Sequence, residues 1–66
     1  MTIPQQIVVR RQLRDYAIGK SDDIRNLVSV IRGQICARHQ AVTPGMRKHL
    51  AEWIEQDMER LRTLAP

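Results

Sequence analysis

Hydrophobic residues recur along the chain at helical spacing in three segments, separated by breaks at "IGKSDD" and "HQAVTPG". The clearest helix is predicted for about residues 22–39. At ~100° per residue, its apolar side chains fall on one narrow stripe. The stripe consists of Ile24, Leu27, Val28, Ile31 and Ile35. Such a stripe is typical of a helix that packs along another helix, so we expect a helix–helix seam here.

The N-terminal end of this second helix carries two signals that favour a helix start. Ser21 is a suitable N-cap because its hydroxyl can accept a hydrogen bond from a free first-turn amide. Asp22 and Asp23 place negative charge at the positive end of the helix dipole.

Gly33 lies on the side of this helix opposite the stripe. Either another element approaches closely there, or the glycine is exposed and mildly destabilising; the sequence leaves both readings open.

A third helix is predicted for about residues 44–63. Thr43 is the expected N-cap, and Pro44 occupies the first helical position, where its missing N–H is harmless. The wide apolar face of this helix comprises Met46, Leu50, Trp53, Ile54, Met58, Leu61 and Leu64. Because the link to the second helix is short, the two helices are expected to form an antiparallel hairpin.

The first segment permits two interpretations. As a helix over about residues 4–18, it places Val9, Leu13, Tyr16 and Ala17 on one side. As a strand, residues 5–11 would form a short β-ribbon. We favour the helix, since "RRQLRDYA" is rich in helix formers and its apolar spacing is close to 3.6.

These elements predict an all-α fold: one domain over residues 1–66, with an N-terminal helix beside a helical hairpin. A chain of 66 residues buries only roughly 60% of its unfolded surface, and with Cys36 as its single cysteine it cannot form an internal disulfide. We therefore expect a homodimer that forms a helical bundle. The core and dimer seam would comprise Ile24, Leu27, Val28, Ile31, Ile35, Leu50, Ile54, Met58 and Leu61.

Asp57 interrupts the apolar face of the third helix, between Trp53 and Leu61. An unpaired carboxylate in an apolar interior is costly, so an ion-pair partner is expected. In an antiparallel hairpin Arg25 is within reach, and Arg14 is the candidate from the first segment. Alternatively, Trp53, Asp57 and Arg60 lie in an exposed groove that receives a cationic side chain of a partner.

The basic residues form two sets within a chain of net charge +4. Arg10, Arg11 and Arg14 share one patch of the first segment. Arg25, Arg32 and His39 recur every seven residues along one flank of the second helix. This flank either pairs with Glu52 or Glu59 of a neighbouring helix, or forms a basic strip that meets the phosphates or carboxylates of a partner.

Residues for catalysis or metal binding are few. Cys36, His39 and His49 are too thin a set for a zinc site, and no phosphate-binding glycine loop or carboxylate pair is present. We therefore expect neither an enzyme nor a cofactor. No apolar run is long enough for a secretory signal or a membrane span, so a cytoplasmic protein without membrane contact is predicted.

Two functional hypotheses follow. The first is a small regulatory protein that binds another protein as an inhibitor, adaptor or anti-activator. It is based on the separation of basic patches from an acidic outer face on the third helix. The alternative is a dimeric basic transcriptional regulator that binds duplex DNA. The candidate partner-binding residues are Arg10, Arg11, Arg14, Arg25, Arg32, Trp53, Asp57 and Arg60.

Overall fold

The computed structural model of the protein describes residues 2–64, which form three helices and contain no strand. The helices are α1 (Ile3–Ala17), α2 (Asp22–Gln40) and α3 (Pro44–Leu64). The prediction of an all-α fold is confirmed. The strand interpretation of residues 5–11 is wrong, because these residues lie within α1. Residues 1, 65 and 66 of the predicted domain lie outside the described residues.

Strong local signals start and stop α1. Thr2 forms a capping box with Gln5: the Gln5 amide donates to the Thr2 hydroxyl at 3.3 Å, and the Thr2 amide donates to the Gln5 side chain at 2.7 Å. Pro4 lies in the first turn, where it needs no hydrogen-bond partner. Just beyond the helix, Gly19 has a φ of 76°, a left-handed conformation that costs a glycine little. These end signals favour a helix over a strand.

The caps of α2 and α3 differ. Ser21 is the N-cap residue of α2, as predicted, but its side chain does not make the expected capping hydrogen bond. The Ser21 carbonyl accepts from the Arg25 amide at 2.9 Å instead. Before α3, the Thr43 hydroxyl accepts from the Met46 amide at 3.2 Å. Only residues 41–43 connect the two helices.

The core lies where α2 meets both other helices. Its buried side chains are Leu13 of α1, Leu27, Val28, Ile31 and Ile35 of α2, and Leu61 of α3. Ile31 is 0% exposed and occupies the centre. Val9, Ala17, Ile24, Ile54 and Met58 are half-buried around this cluster, and Leu50 is half-buried as well.

Gly33 illustrates the outer side of α2. A Cβ atom added at this residue would meet nothing within 4 Å. Among the described residues nothing approaches Gly33 closely, and the glycine lies on an open helix surface.

The two outer helices do not touch through their backbones. Among the described residues, α1 packs on α2 and α3 packs on α2, but no Cα atom of α1 lies within 8 Å of a Cα atom of α3. Side chains alone fill part of the space between them. A groove is therefore left open above α2.

Candidate functional site

This groove contains a small apolar cavity of about 130 Å³. Ile35 of α2 lines it together with Val9 of α1 and Ile54 and Met58 of α3. All three helices thus contribute apolar side chains to one concave site. The polar part of the lining comes from Gln6 and Arg38.

A second apolar depression continues the groove between α1 and α3. It is lined by Leu13, Tyr16, Met58, Leu61 and Arg62. Met58 lines both depressions, so they adjoin at this side chain. We refer to the two depressions together as the outer-helix groove. Most of its apolar residues were predicted as core or seam residues, or as the apolar side of the first segment. The groove itself was not predicted, since the gap between two helices is not visible in the pattern of either one.

The charges that line the outer-helix groove are positive. Arg38 lines the apolar cavity and also an adjoining polar depression, which includes His39 and Arg47. Within the described residues, neither the Arg38 nor the Arg47 guanidinium forms an ion pair. At the other end, Arg62 is paired with Glu59 at 2.7 Å. No aspartate or glutamate lines any of these three depressions.

A separate basic cleft lies between α1 and the opposite flank of α2. Arg14, Arg25 and Arg32 line this open cleft of about 350 Å³, together with Val28 and Ser29. The structure therefore brings one arginine of the first predicted set together with two of the second. We call this surface the basic cleft.

The arginines of the two predicted sets differ in their surroundings. Arg14 contacts Asp15 at 3.2 Å, and Arg25 forms an ion pair with Asp22; all four of these side chains are largely exposed, so both pairs are weak. Arg10 and Arg32 are half-buried, and the Nε atom of each is buried without a hydrogen-bond partner among the described residues. Arg11 is exposed.

The predicted pairing of the α2 flank with acidic residues of α3 is wrong. Glu52 lies 3.9 Å from His49, and Glu59 pairs with Arg62, so both carboxylates contact residues of their own helix. Partners three positions apart on a helix are closer than residues of a neighbouring helix. His39 of that flank is exposed and lines the polar depression beside Arg38.

Asp57 is held by Gln34, which the sequence interpretation did not select, and by Arg60, which it grouped with Asp57 but did not propose as its ion-pair partner. The Gln34 side chain donates to the Asp57 carboxylate at 2.8 Å, and the Arg60 guanidinium lies 3.6 Å from it. The expectation that Arg14 or Arg25 pairs with Asp57 is wrong, because each of them meets a neighbouring aspartate. The Asp57 side chain is only 14% exposed, so most of it is enclosed within the chain.

Gln34 is the residue that the prediction missed. It lies seven positions after Leu27 and therefore beside the apolar stripe of α2. This spacing was a usable signal, but only charged side chains were considered as partners. The Gln34 amide donates to one oxygen of the carboxylate, and the Arg60 guanidinium lies near the other oxygen.

Trp53 lies on an exposed side of α3. It is 51% exposed and stacks on His49 with a ring-centroid distance of 6.3 Å. Met46 and Leu64 are also exposed and share this side of the helix, since spacings of seven and eleven residues return to nearly the same angle. Arg60 is exposed near the same line. We call this surface the Trp53 face.

The remaining chemistry-bearing side chains stay apart. Cys36 is a half-buried free thiol, and among residues 2–64 no three His, Cys, Asp or Glu side chains are grouped as metal ligands would be. Within the same residues, no helix combines the length and the apolar character needed to cross a membrane.

Comparison of the chain with protein-family models, with curated proteins and with solved structures gave no significant match. Function is therefore inferred from the surfaces described above.

Proposed function

We propose that this protein is a small non-enzymatic regulator that binds another protein, as an inhibitor, adaptor or anti-activator does. Its outer-helix groove receives an α-helix of the partner. The observation that carries the proposal is the apolar lining between α1 and α3, which continues from Val9 past Met58 to Leu61. Grooves of this kind bind the apolar face of an amphipathic helix.

The balance of buried and exposed side chains supports an association of this kind. Among the described residues, nine large hydrophobic side chains are exposed and six hydrophobic side chains are buried. A chain of 66 residues that exposes so much apolar surface gains stability when a partner covers it.

Helices α2 and α3 form an antiparallel hairpin in this proposal. The three-residue link and the hydrogen bond from Gln34 to Asp57 support this arrangement.

The protein acts as a homodimer through the Trp53 face. Met46, Trp53 and Leu64 form one exposed line along α3, and the same line on a second copy is self-complementary about a two-fold axis. Tryptophan is among the commonest residues with large binding contributions. Light scattering after size exclusion should report a dimer, and Trp53→Glu should give a folded monomer. A monomeric wild-type protein would contradict this assignment.

Action by binding, without catalysis and in the cytoplasm, fits the placement of the reactive side chains. Cys36 is the only cysteine in the sequence and is a free thiol. Of the two histidines, His49 contacts Glu52 and Trp53 on the surface of α3, and His39, three positions after Cys36 on α2, is exposed and lines the polar depression. A nucleophile needs a base within hydrogen-bond reach and an orienting partner.

A capture experiment with matched variants tests the binding function. Tagged protein is used to isolate partners from a lysate of the native host, with and without nuclease. Val9→Asp puts a charge into the apolar cavity, whereas Val8→Asp puts the same charge on a neighbouring side chain that is 50% exposed and outside that cavity. A protein captured by the wild type and by Val8→Asp, lost with Val9→Asp and resistant to nuclease supports the proposal. Equal capture by both variants contradicts it.

A second candidate function is binding of duplex DNA through the basic cleft. It is favoured by the convergence of Arg14, Arg25 and Arg32 from two helices on one open surface. Fluorescence anisotropy with mixed-sequence duplex DNA at several salt concentrations tests it. If this function holds, replacing Arg25 and Arg32 by glutamate should abolish the binding. For the wild type, the logarithm of the binding constant should fall linearly with the logarithm of the salt concentration, with a slope of about −0.9 for each phosphate contacted. Absence of binding by the wild type at low salt removes this candidate.

A further inference from the structure

The size of the apolar cavity indicates which side chain of the partner it accepts. The cavity measures about 130 Å³, which is close to the ~150 Å³ of an engineered apolar cavity that binds benzene. One phenyl ring, or one large aliphatic side chain, therefore fills it. Met58 favours a ring, because thioether sulfur makes favourable contacts with aromatic groups.

A second copy of the chain is a poor source of that ring. The sequence contains no phenylalanine, and its aromatic residues are Tyr16 and Trp53. Tyr16 already lines the other depression of the groove, and Trp53 belongs to the exposed line on α3. A phenylalanine side chain in the cavity therefore comes from a different protein.

The charges beside the cavity indicate what surrounds the ring. Arg38 lines both the cavity and the polar depression next to it, where Arg47 adds a second guanidinium. No ion pair of either guanidinium is present among the described residues, and no acidic side chain lines these sites. A carboxylate of the partner that meets Arg38 would therefore gain a charge-assisted hydrogen bond without displacing an acidic side chain of this protein.

We infer that the partner helix inserts one phenylalanine-type side chain between Val9, Ile35, Ile54 and Met58, and presents a carboxylate to Arg38 within one turn of it. This inference rests on the proposed binding function. The spacing follows because the apolar cavity and Arg38 belong to one lining, and side chains three or four positions apart on a helix point to neighbouring sites. The partner is thus an amphipathic helix with acidic residues beside its apolar stripe.

Selection from a peptide library tests this chemistry without knowledge of the natural partner. A phage-displayed amphipathic helix, randomised at one central apolar position and at the positions three and four residues to either side, is selected on the immobilised wild-type protein. We expect phenylalanine or leucine at the centre and aspartate or glutamate at a flanking position. Enrichment of lysine or arginine at the flanks, or of small residues at the centre, would overturn the inference.

Protein variants then locate the selected peptide. Val9→Phe fills the cavity from within and should weaken binding about thirtyfold, the effect of losing a ~2 kcal/mol anchor, whereas Val8→Phe, outside the cavity, should bind like the wild type. Arg38→Glu should weaken binding at least about tenfold. Lys48→Glu is the control, since it makes the same charge change on the exposed surface of α3 outside the groove, and it should bind the peptide like the wild type. Circular dichroism establishes that each variant is folded.

The outcomes separate the inference from the function beneath it. Peptides that lose affinity with Val9→Phe but are insensitive to Arg38→Glu leave groove binding intact and refute the acidic partner. Peptides that are insensitive to Val9→Phe, or a selection that yields no binding peptide, refute the proposed docking of a helix in the outer-helix groove and the inference with it.

Discussion

Ile31 is the residue on which the fold depends most, and truncating it has a calculable effect. The side chain is fully buried in the centre of the cluster on α2. Replacing a buried isoleucine by alanine costs about 2–5 kcal/mol, because transfer free energy is lost and a cavity remains. A 66-residue chain at roughly 0.05–0.15 kcal/mol per residue has a total stability of roughly 3–10 kcal/mol. Ile31→Ala should therefore remove about half of the stability.

Urea unfolding followed by circular dichroism measures this loss. With a slope of about 1 kcal/mol per molar urea for so small a domain, the midpoint should fall by roughly 2 M or more. Val30→Ala is the matched control, since Val30 is the adjacent residue and is 50% exposed; its midpoint should move by less than about 0.5 M. Ile31→Asp should leave the chain unfolded. Equal shifts for Ile31→Ala and Val30→Ala would refute the central placement of Ile31.

The remaining predictions concern the half-buried hydrogen bond between Gln34 and Asp57 and the glycines. Asp57→Ala should lower the free energy of unfolding, measured with urea, by about 1–3 kcal/mol, because it leaves the Gln34 amide without its acceptor. Replacing both Gln34 and Asp57 by leucine should restore most of that loss. A double variant less stable than Asp57→Ala would contradict this prediction. Gly33→Ala should stabilise the protein by about 0.8–1 kcal/mol and raise the melting temperature by roughly 4–8 °C, since a Cβ there meets nothing. Gly19→Ala should instead lower it, since its φ is 76°; equal responses of the two glycines would show that backbone conformation does not decide the effect.

The pattern of apolar residues was sufficient to predict the helices α2 and α3. In α2 the apolar residues from Ile24 to Ile35 recur at helical spacing, and clear breaks bound the segment at both ends. One face of this helix was therefore expected to pack against another helix. For the first segment the apolar pattern alone was ambiguous. The capping box between Thr2 and Gln5 and the left-handed Gly19 favour the helix. The sequence contains the residue types and spacings that permit both features.

The candidate sites were harder to predict because they depend on how helices lie beside one another. Arg14 and Arg25 were assigned to separate sets, and only the packing of α1 on α2 brings them to one cleft. Ion pairs were expected between helices, but short-range partners three positions away were nearer for Arg25 and Glu59. A groove between α1 and α3 has no signature in either helix, since it follows from the absence of contact between their backbones.

That absence of contact also bears on the dynamics of the chain. Among the described residues the backbone of helix α1 approaches only α2, through the less extensive of the two helix–helix contacts, and a 15-residue helix is only marginally stable by itself in water. Its amide hydrogens should therefore exchange with deuterium through a partial opening that leaves α2 and α3 paired. A ligand helix that contacts both α1 and α3 would suppress this partial opening. Slower amide exchange in α1 would therefore report that the groove is occupied.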